Sequence, residues 1–283
     1  MIPFRKMNGL GNDFVVVDAR REPVDLSPER IRALADRGSG IGFDQYIVIA
    51  PTGGEGAALM KIFNADGGEV ESCGNAARCV AGVLLEETGA QRVRIDSKGG
   101  VMLARRAGGG AIAVDMGEPR FGAEAIPLAP AAGDPQALLL PPFSDRYGPA
   151  ACVNVGNPHA VFFVPDADAV PLETDGAALE RHPAFPERAN ISFATVVDRK
   201  TIRTRVFERG VGPTRACGTA ACAVGALAHR LGLAEPRVSV VLPGGPLKID
   251  VSSGRIIMEG PYALDYTGTI TDGGFVMAPL DAV

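Results

Sequence analysis

The feature that most constrains this 283-residue chain is that its second half repeats its first. Gly11-Asn12-Asp13-Phe14 returns as Gly156-Asn157-Pro158-His159 (157 − 12 = 145), and Gln45 returns as Asn190 at the same spacing. Cys73-Gly74-Asn75-Ala76-Ala77 returns as Cys217-Gly218-Thr219-Ala220-Ala221 (217 − 73 = 144), with Asn64 and Glu208 also in step. Gly99-Gly100 is matched by Gly244-Gly245. A register held to within one residue from Asn12 to Gly100 points to duplication of one folding unit, so the chain must solve the same packing problem twice.

The elements read from each copy agree. Short β-rich apolar runs at 14–17, 46–49, 59–63 and 92–95 predict strands. Their counterparts lie at 160–164, 191–197, 201–207 and 238–242. Helices are predicted over 74–88 and 218–232, with Gly89 and Gly232 placed to end them. Both are apolar almost all round, as in Ala76-Ala77-Arg78-Cys79-Val80-Ala81-Gly82 and Ala220-Ala221-Cys222-Ala223-Val224-Gly225. A helix without a polar face is buried on every side. The expected fold class is therefore α+β: two pseudo-symmetric halves, each a curved mixed β-sheet wrapped around a central buried helix. Small helix residues would let the strands approach closely, and Cys79 and Cys222 read as inert core thiols. The halves are expected to span 1–118 and 119–262, with a tail of 263–283 crossing back onto the first. Between them, Ala129-Pro130-Ala131-Ala132-Gly133-Asp134-Pro135 and Pro141-Pro142 exclude regular structure, while Gly108-Gly109-Gly110 reads as a tight turn.

Composition narrows the function. A net charge of −5 and pI near 5.3 argue against nucleic acid as the main partner. No apolar run approaches the roughly 20 residues that span a bilayer, so no membrane partner is expected. The opening Met1-Ile2-Pro3-Phe4-Arg5-Lys6 lacks a signal-peptide pattern, and a cytoplasmic location is the expectation. Five cysteines suit reduced thiols rather than a disulfide framework. Cys73 and Cys79 are separated by five residues and Cys217 and Cys222 by four, and the chain has only three histidines, so no metal is expected.

Chemistry concentrates at the repeated cysteines. Each directly precedes its helix, where unpaired N–H groups and the positive end of the dipole favour a thiolate and can hold a carboxylate. Gly74 and Gly218 allow a ligand close to the backbone. Two such helix ends facing each other would grip one carboxylate and set a sulfur on either side of its α-carbon. Asn12, Asn157, Gln45, Asn190, Asn64 and Glu208 all fall near predicted strand ends, where binding residues collect. Arg209, in Glu208-Arg209-Gly210, is the candidate for a second carboxylate, because guanidinium pairs with it bidentately. His159 follows Asn157-Pro158; His182 and His229 read as ordinary surface or helix histidines.

These motifs together resemble the diaminopimelate epimerases. The resemblance is carried by Phe4-Arg5-Lys6-Met7-Asn8-Gly9-Leu10-Gly11-Asn12-Asp13-Phe14, Gly40-Ile41-Gly42-Phe43-Asp44-Gln45 and Phe63-Asn64-Ala65-Asp66-Gly67-Gly68-Glu69. It continues through Asn154-Val155-Gly156-Asn157-Pro158-His159 and Glu208-Arg209-Gly210-Val211-Gly212-Pro213-Thr214-Arg215-Ala216-Cys217-Gly218-Thr219. It implies a cofactor-independent epimerase that converts L,L- to meso-diaminopimelate in lysine and peptidoglycan precursor synthesis, as a homodimer. Cys73 and Cys217 would be the catalytic pair. Gly74, Asn75, Gly218 and Thr219 would hold the reacting carboxylate. Asn64, Asn157, Asn190 and Arg209 would read the distal amino-acid group, with Asn12 and Gln45 as further binding positions. His159 and Glu208 would adjust cysteine protonation. The family pattern has glycine where this chain has Ala76 and Ala220, a matched departure that adds a methyl to the first turn of each helix. Proline or hydroxyproline racemases share the two-thiol plan but need no distal reader. A phenazine-type isomerase would lack the cysteine pair. A dithiol redox protein is the rival from another class.

Overall fold

The structure is a computed structural model that describes residues 1–71, 73–130 and 132–278. The chain divides into two compact units, one of Met1–Val114 with Gly260 onward, the other of Asp115–Glu259.

The first unit carries β1 (Ile2–Asn8), β2 (Asp13–Asp18), α1 (Pro28–Ala35), β3 (Gln45–Ala50), β4 (Ala58–Asn64), β5 (Glu69–Val70), α2 (Gly74–Thr88), β6 (Arg92–Ser97), β7 (Gly100–Arg106) and β8 (Ile112–Asp115), whose last residue falls in the second unit. β2 and β3 are parallel, β3 and β4 antiparallel, β4 and β6 parallel, and β6 and β7 an antiparallel hairpin. α2 is buried from Gly74 to Leu85 and ends at Gly89, whose left-handed φ of 66° lets its N–H reach Leu85 O. Gly108–Gly110 forms the turn between β7 and β8.

The second unit repeats this plan with β9 (Ala151–Asn154), β10 (Pro158–Phe163), β11 (Asn190–Asp198), β12 (Thr201–Glu208), β13 (Gly212–Thr214), β14 (Arg237–Leu242), β15 (Gly245–Asp250) and β16 (Ile257–Gly260, whose last residue belongs to the first unit). Its helices are α3 (Phe143–Tyr147), α4 (Leu172–Glu180) and α5 (Gly218–Arg230). β10 and β11 are parallel, β11 and β12 antiparallel, β12 and β14 parallel, and β14 and β15 a hairpin. The pairing order is that of the first unit, strand for strand. The duplication reaches single registers: Phe14 faces Gln45 across the first parallel pair, and His159 faces Asn190 across the second. α5 packs against β9, β10, β11, β12, β14 and β15, which one sheet can achieve only by curling around the helix. α5 stops at Arg230, two residues short of the expected end, because Leu231 and Gly232 turn the chain out through N–H bonds to Leu227 O and His229 O. Against the expectation of no regular structure in the connection, it holds a 3-10 turn at Ala123–Ala125 and α3, which follows directly on the Pro141-Pro142 pair. Of that connection, Ala131 lies outside the described residues.

β17 (Ala263–Thr271) and β18 (Gly274–Met277) return to the first unit, where β17 pairs with β1 from Ile2↔Ile270 to Asn8↔Ala263. Residues 279–283 of the expected tail lie outside the described residues. The units part at 114/115 and 259/260 for local reasons. Met116 N–H donates to Ile256 O, and Arg255 pairs with Asp115, which ties that strand end to the second unit. Pro261 O accepts from Arg78 Nε, and Tyr262 lies on Gly82, which ties those residues to the first.

Candidate active site

Both cysteines occupy the N-cap of a buried helix. Cys73 precedes α2 with φ −151° and ψ 111°; Cys217 precedes α5 with φ −134° and ψ 109°. The extended cap residue directs its carbonyl into the helix, accepted from Ala77 N at 2.9 Å and from Ala221 N at 3.1 Å. The first-turn amides of Gly74 and Asn75, and of Gly218 and Thr219, precede any possible intrahelical acceptor, so they are the donors a helix start offers to an anion.

In the first unit the sequence candidates gather in two contacts. Gln45 Nε2 donates to Asn64 Oδ1 at 3.0 Å across β3 and β4. Arg78 Nη1 donates to Asn75 Oδ1 at 2.9 Å, Asn75 Nδ2 to Asn12 Oδ1 at 3.5 Å, and Asn12 Nδ2 to Asp44 Oδ2 at 2.7 Å. Asp44 also accepts from Asp13 N, and Arg37 spans Asp13 and Asp44. Arg78 and Asp44 escaped the sequence reading. Arg78 looked like a lone charge in an apolar helix, yet it is fully buried. Asp44 lies within Gly40-Ile41-Gly42-Phe43-Asp44-Gln45, where nothing in the sequence sets it apart from its neighbours. Cys79 is buried, and desolvation pushes its thiol up to about 12, as it does that of Cys152.

In the second unit a continuous chain runs from the cysteine inward. Cys217 Sγ lies 3.4 Å from Thr219 Oγ1, which accepts from Asn157 Nδ2 at 3.4 Å. Asn157 Oδ1 therefore faces His159 Nε2 at 2.9 Å, which makes that nitrogen the N–H donor. His159 is wholly buried, and desolvation, with repulsion from Arg209 second, lowers it to about 3. It is a neutral imidazole. Asn190 is 3% exposed and has both ends occupied: Nδ2 donates to Pro158 O and Oδ1 accepts from Arg209 N, each at 3.0 Å. Glu208 accepts from Thr214 Oγ1, and Arg209 is exposed with Nη1 donating to Glu187 O. His182 is half-buried and His229 is exposed. Glu180, at the end of α4, accepts from Gly210 N at 2.7 Å; nothing in its sequence context marked it.

Among the described residues, no group of three or more His, Cys, Asp or Glu could hold a metal ion. Likewise, no helix is long and apolar enough to cross a membrane.

Two repeated half-units, each curled around a cysteine-capped helix, place this fold with a group of solved structures of low sequence identity. A phenazine biosynthesis protein of the PhzF family from Enterococcus faecalis superposes with a TM-score of 0.66 at 15% identity, covering 97% of this chain and 98% of that one. A hydroxyproline epimerase from Agrobacterium vitis superposes with a TM-score of 0.63 at 15% identity, covering 99% and 94%. Within that fold, the diaminopimelate epimerase family model matches residues 4–122 and 151–264. Curated diaminopimelate epimerases from Rhizorhabdus wittichii and Erythrobacter litoralis are 51% and 49% identical, covering 94% and 97% of this chain and 94% and 99% of theirs. The chain belongs to the diaminopimelate epimerase family.

Proposed function

We propose that the protein epimerises L,L-diaminopimelate to meso-diaminopimelate with Cys73 and Cys217 as its two acid/base groups, without a cofactor. The observation that carries this reading is the pair of cysteines capping two buried helices with nearly the same backbone geometry, within the residues that match the family. The α-proton of an amino acid is weakly acidic, so its removal needs a base in place and electrostatic support for the charge that develops. Cys217 as thiolate takes the α-proton of the L,L substrate; Cys73 as thiol delivers a proton to the opposite face. The carbon's electron pair passes into the carboxylate and back, so atoms and charge balance. The amides of Gly74, Asn75, Gly218 and Thr219 hold that carboxylate as negative charge builds on it. Asn64, Asn157, Asn190 and Arg209 engage the distal amino-acid group, with Asn12 and Gln45 completing the pocket. Asn190 does so in part by bracing Arg209.

His159 and Glu208 belong to the protonation machinery. His159, neutral and donating through Nε2, holds Asn157 and through it Thr219, which sits against Cys217. The two thiols share one proton, so their titration belongs to the pair. The same reading places the enzyme in lysine and peptidoglycan precursor synthesis, in the cytoplasm, as a homodimer.

The fold alone does not separate this substrate from proline or hydroxyproline, since a hydroxyproline epimerase shares it. Arg209 and the asparagine set favour a diamino diacid. Solvent-deuterium uptake followed by NMR with diaminopimelate, proline and hydroxyproline is the test. Exchange and inversion are expected with diaminopimelate only. Cys73→Ala and Cys217→Ala should each abolish inversion, and full turnover by either variant would sink the two-base mechanism. Thiol-dependent redox turnover without α-proton exchange would favour the dithiol alternative.

A further inference from the structure

We propose that Glu180 is a positioning residue for Arg209: its buried carboxylate fixes the backbone turn that presents the guanidinium to the distal carboxylate of the substrate. This rests on the reading of Arg209 given above.

Glu180 is the last residue of α4 and is 2% exposed. Neither circumstance favours a carboxylate. Burial strips its hydration, and a helix C-terminus presents the negative end of the dipole. It must therefore be held by partners, and those partners point to the 208–212 turn. Glu180 Oε1 accepts from Gly210 N at 2.7 Å, while Arg188 Nη1 and Arg181 Nε approach its two oxygens at 3.6 and 3.4 Å. The neighbouring amide, Arg209 N, is received by buried Asn190 Oδ1 at 3.0 Å. Two consecutive N–H groups in one turn thus end on two buried side chains from different elements, one on α4 and one on β11. Gly210 and Gly212 in this turn have φ of 75° and 108°. Such a backbone keeps its shape only where its surroundings hold it.

A second contact supports the same purpose. Gly176, one turn earlier on α4, lies so close to Phe207 that an added Cβ would stand 2.8 Å from Phe207 Cβ. α4 is therefore seated on the end of β12 immediately before Glu208 and Arg209. Arg209 leaves this platform exposed, with Nη1 donating to Glu187 O. Its backbone is fixed and its guanidinium is accessible, which suits a residue that must meet a substrate carboxylate at low entropic cost.

The test compares Glu180→Asp, Glu180→Ala and Glu180→Gln with Arg209→Met, singly and combined, with KM and kcat measured for diaminopimelate. Aspartate keeps the charge but withdraws the acceptor by one methylene. It is expected to raise KM ~10-fold with a smaller change in kcat, as loss of substrate binding does. Alanine should do the same or more. Glutamine can still accept the Gly210 N–H and should recover part of the loss. In the Arg209→Met background, Glu180→Asp should add little, because the group it positions is gone. If Glu180→Asp leaves KM unchanged, or lowers kcat/KM equally with and without Arg209, the inference is overturned. If Arg209→Met itself leaves KM unchanged, the reading of Arg209 fails instead, and the two failures are told apart.

Discussion

At the scale of single residues, the site candidates were legible where the duplication repeated a polar type and illegible where support came from one copy only. Asn12, Asn157, Gln45 and Asn190 stand out because a strand end keeps an amide twice. Glu180, Asp44 and Arg78 carry no such mark. Their roles depend on hydrogen bonds from Gly210, Asn12 and to Asn75, which only the folded chain brings within reach. His159 shows what burial adds to a residue type. Its lowered pKa of about 3 means that between that value and the ordinary 6.5 the unfolded chain binds a proton that the native protein does not. Stability therefore rises with pH across this window and is lost as pH falls through it. The slope from this one group is about 1.4 kcal/mol per pH unit. His159→Gln should remove that slope while Gln still bonds Asn157. Urea unfolding of both proteins at intervals from pH 3.5 to 6.5 would measure it, and an unaltered acid slope would mean that His159 is not held neutral.

At the scale of elements, the two central helices were read correctly because they lack a polar face, and α2 keeps its expected limits. What the composition left open was which small residues touch what. Gly82 in α2 sits beneath Tyr262, where a Cβ would lie 2.3 Å from the ring; Gly225 in α5 sits beneath Ile249, where it would lie 2.8 Å from Cγ2. The two glycines stand one position out of step in the repeat (225 − 82 = 143 against the 144 of the cysteines), and each admits a side chain from a neighbouring strand or loop. Helix propensity alone says that alanine at either place should stabilise by about 1 kcal/mol. Packing says the reverse, since overfilling a tight core costs about 1–3 kcal/mol. Because Tyr262 Oη is tied to Glu86 and Ile249 is 1% exposed, packing should win. Gly82→Ala and Gly225→Ala are both expected to lower the denaturation midpoint. A raised midpoint in either would show that the neighbouring side chain yields freely. Ala76 and Ala220, by contrast, are already accommodated, each fully buried in the first turn of its helix.

At the scale of the whole molecule, duplication explains the pairing order of both units but not the route of the chain. The second unit is continuous, whereas the first is completed by residues from beyond it. The repeat does not carry this, since β17 and β18 have no counterpart in it; the expectation that 263–283 crosses back rests on that unmatched tail. β17 pairs with β1 along its length, its Gly268 backbone lies against the Phe4 ring, and Tyr266 packs edge-on to Phe4 at 6.1 Å. Ile270 is 2% exposed within the cluster formed by Phe4, Val15, Val17, Ile31 and Leu34, and Arg30 Nη2 donates to Thr271 O at 2.5 Å. Ending the chain after Tyr262 keeps the Arg78 and Gly82 contacts but removes this strand. Burial of Ile270 and Phe4 alone is worth about 1.5–3 kcal/mol each, and β1 would lose its outer hydrogen-bonding partner as well. Against a domain stability of about 5–15 kcal/mol, that loss is a large fraction. The truncated chain should therefore be cleaved readily within residues 1–114 in limited proteolysis, while peptides from 115–259 stay protected at the same protease dose. Mass spectrometry of the early fragments would distinguish the outcomes. Equal protection of both stretches would mean that the first unit closes its sheet without β17, and equal digestion would mean that the second unit depends on the first for its own stability.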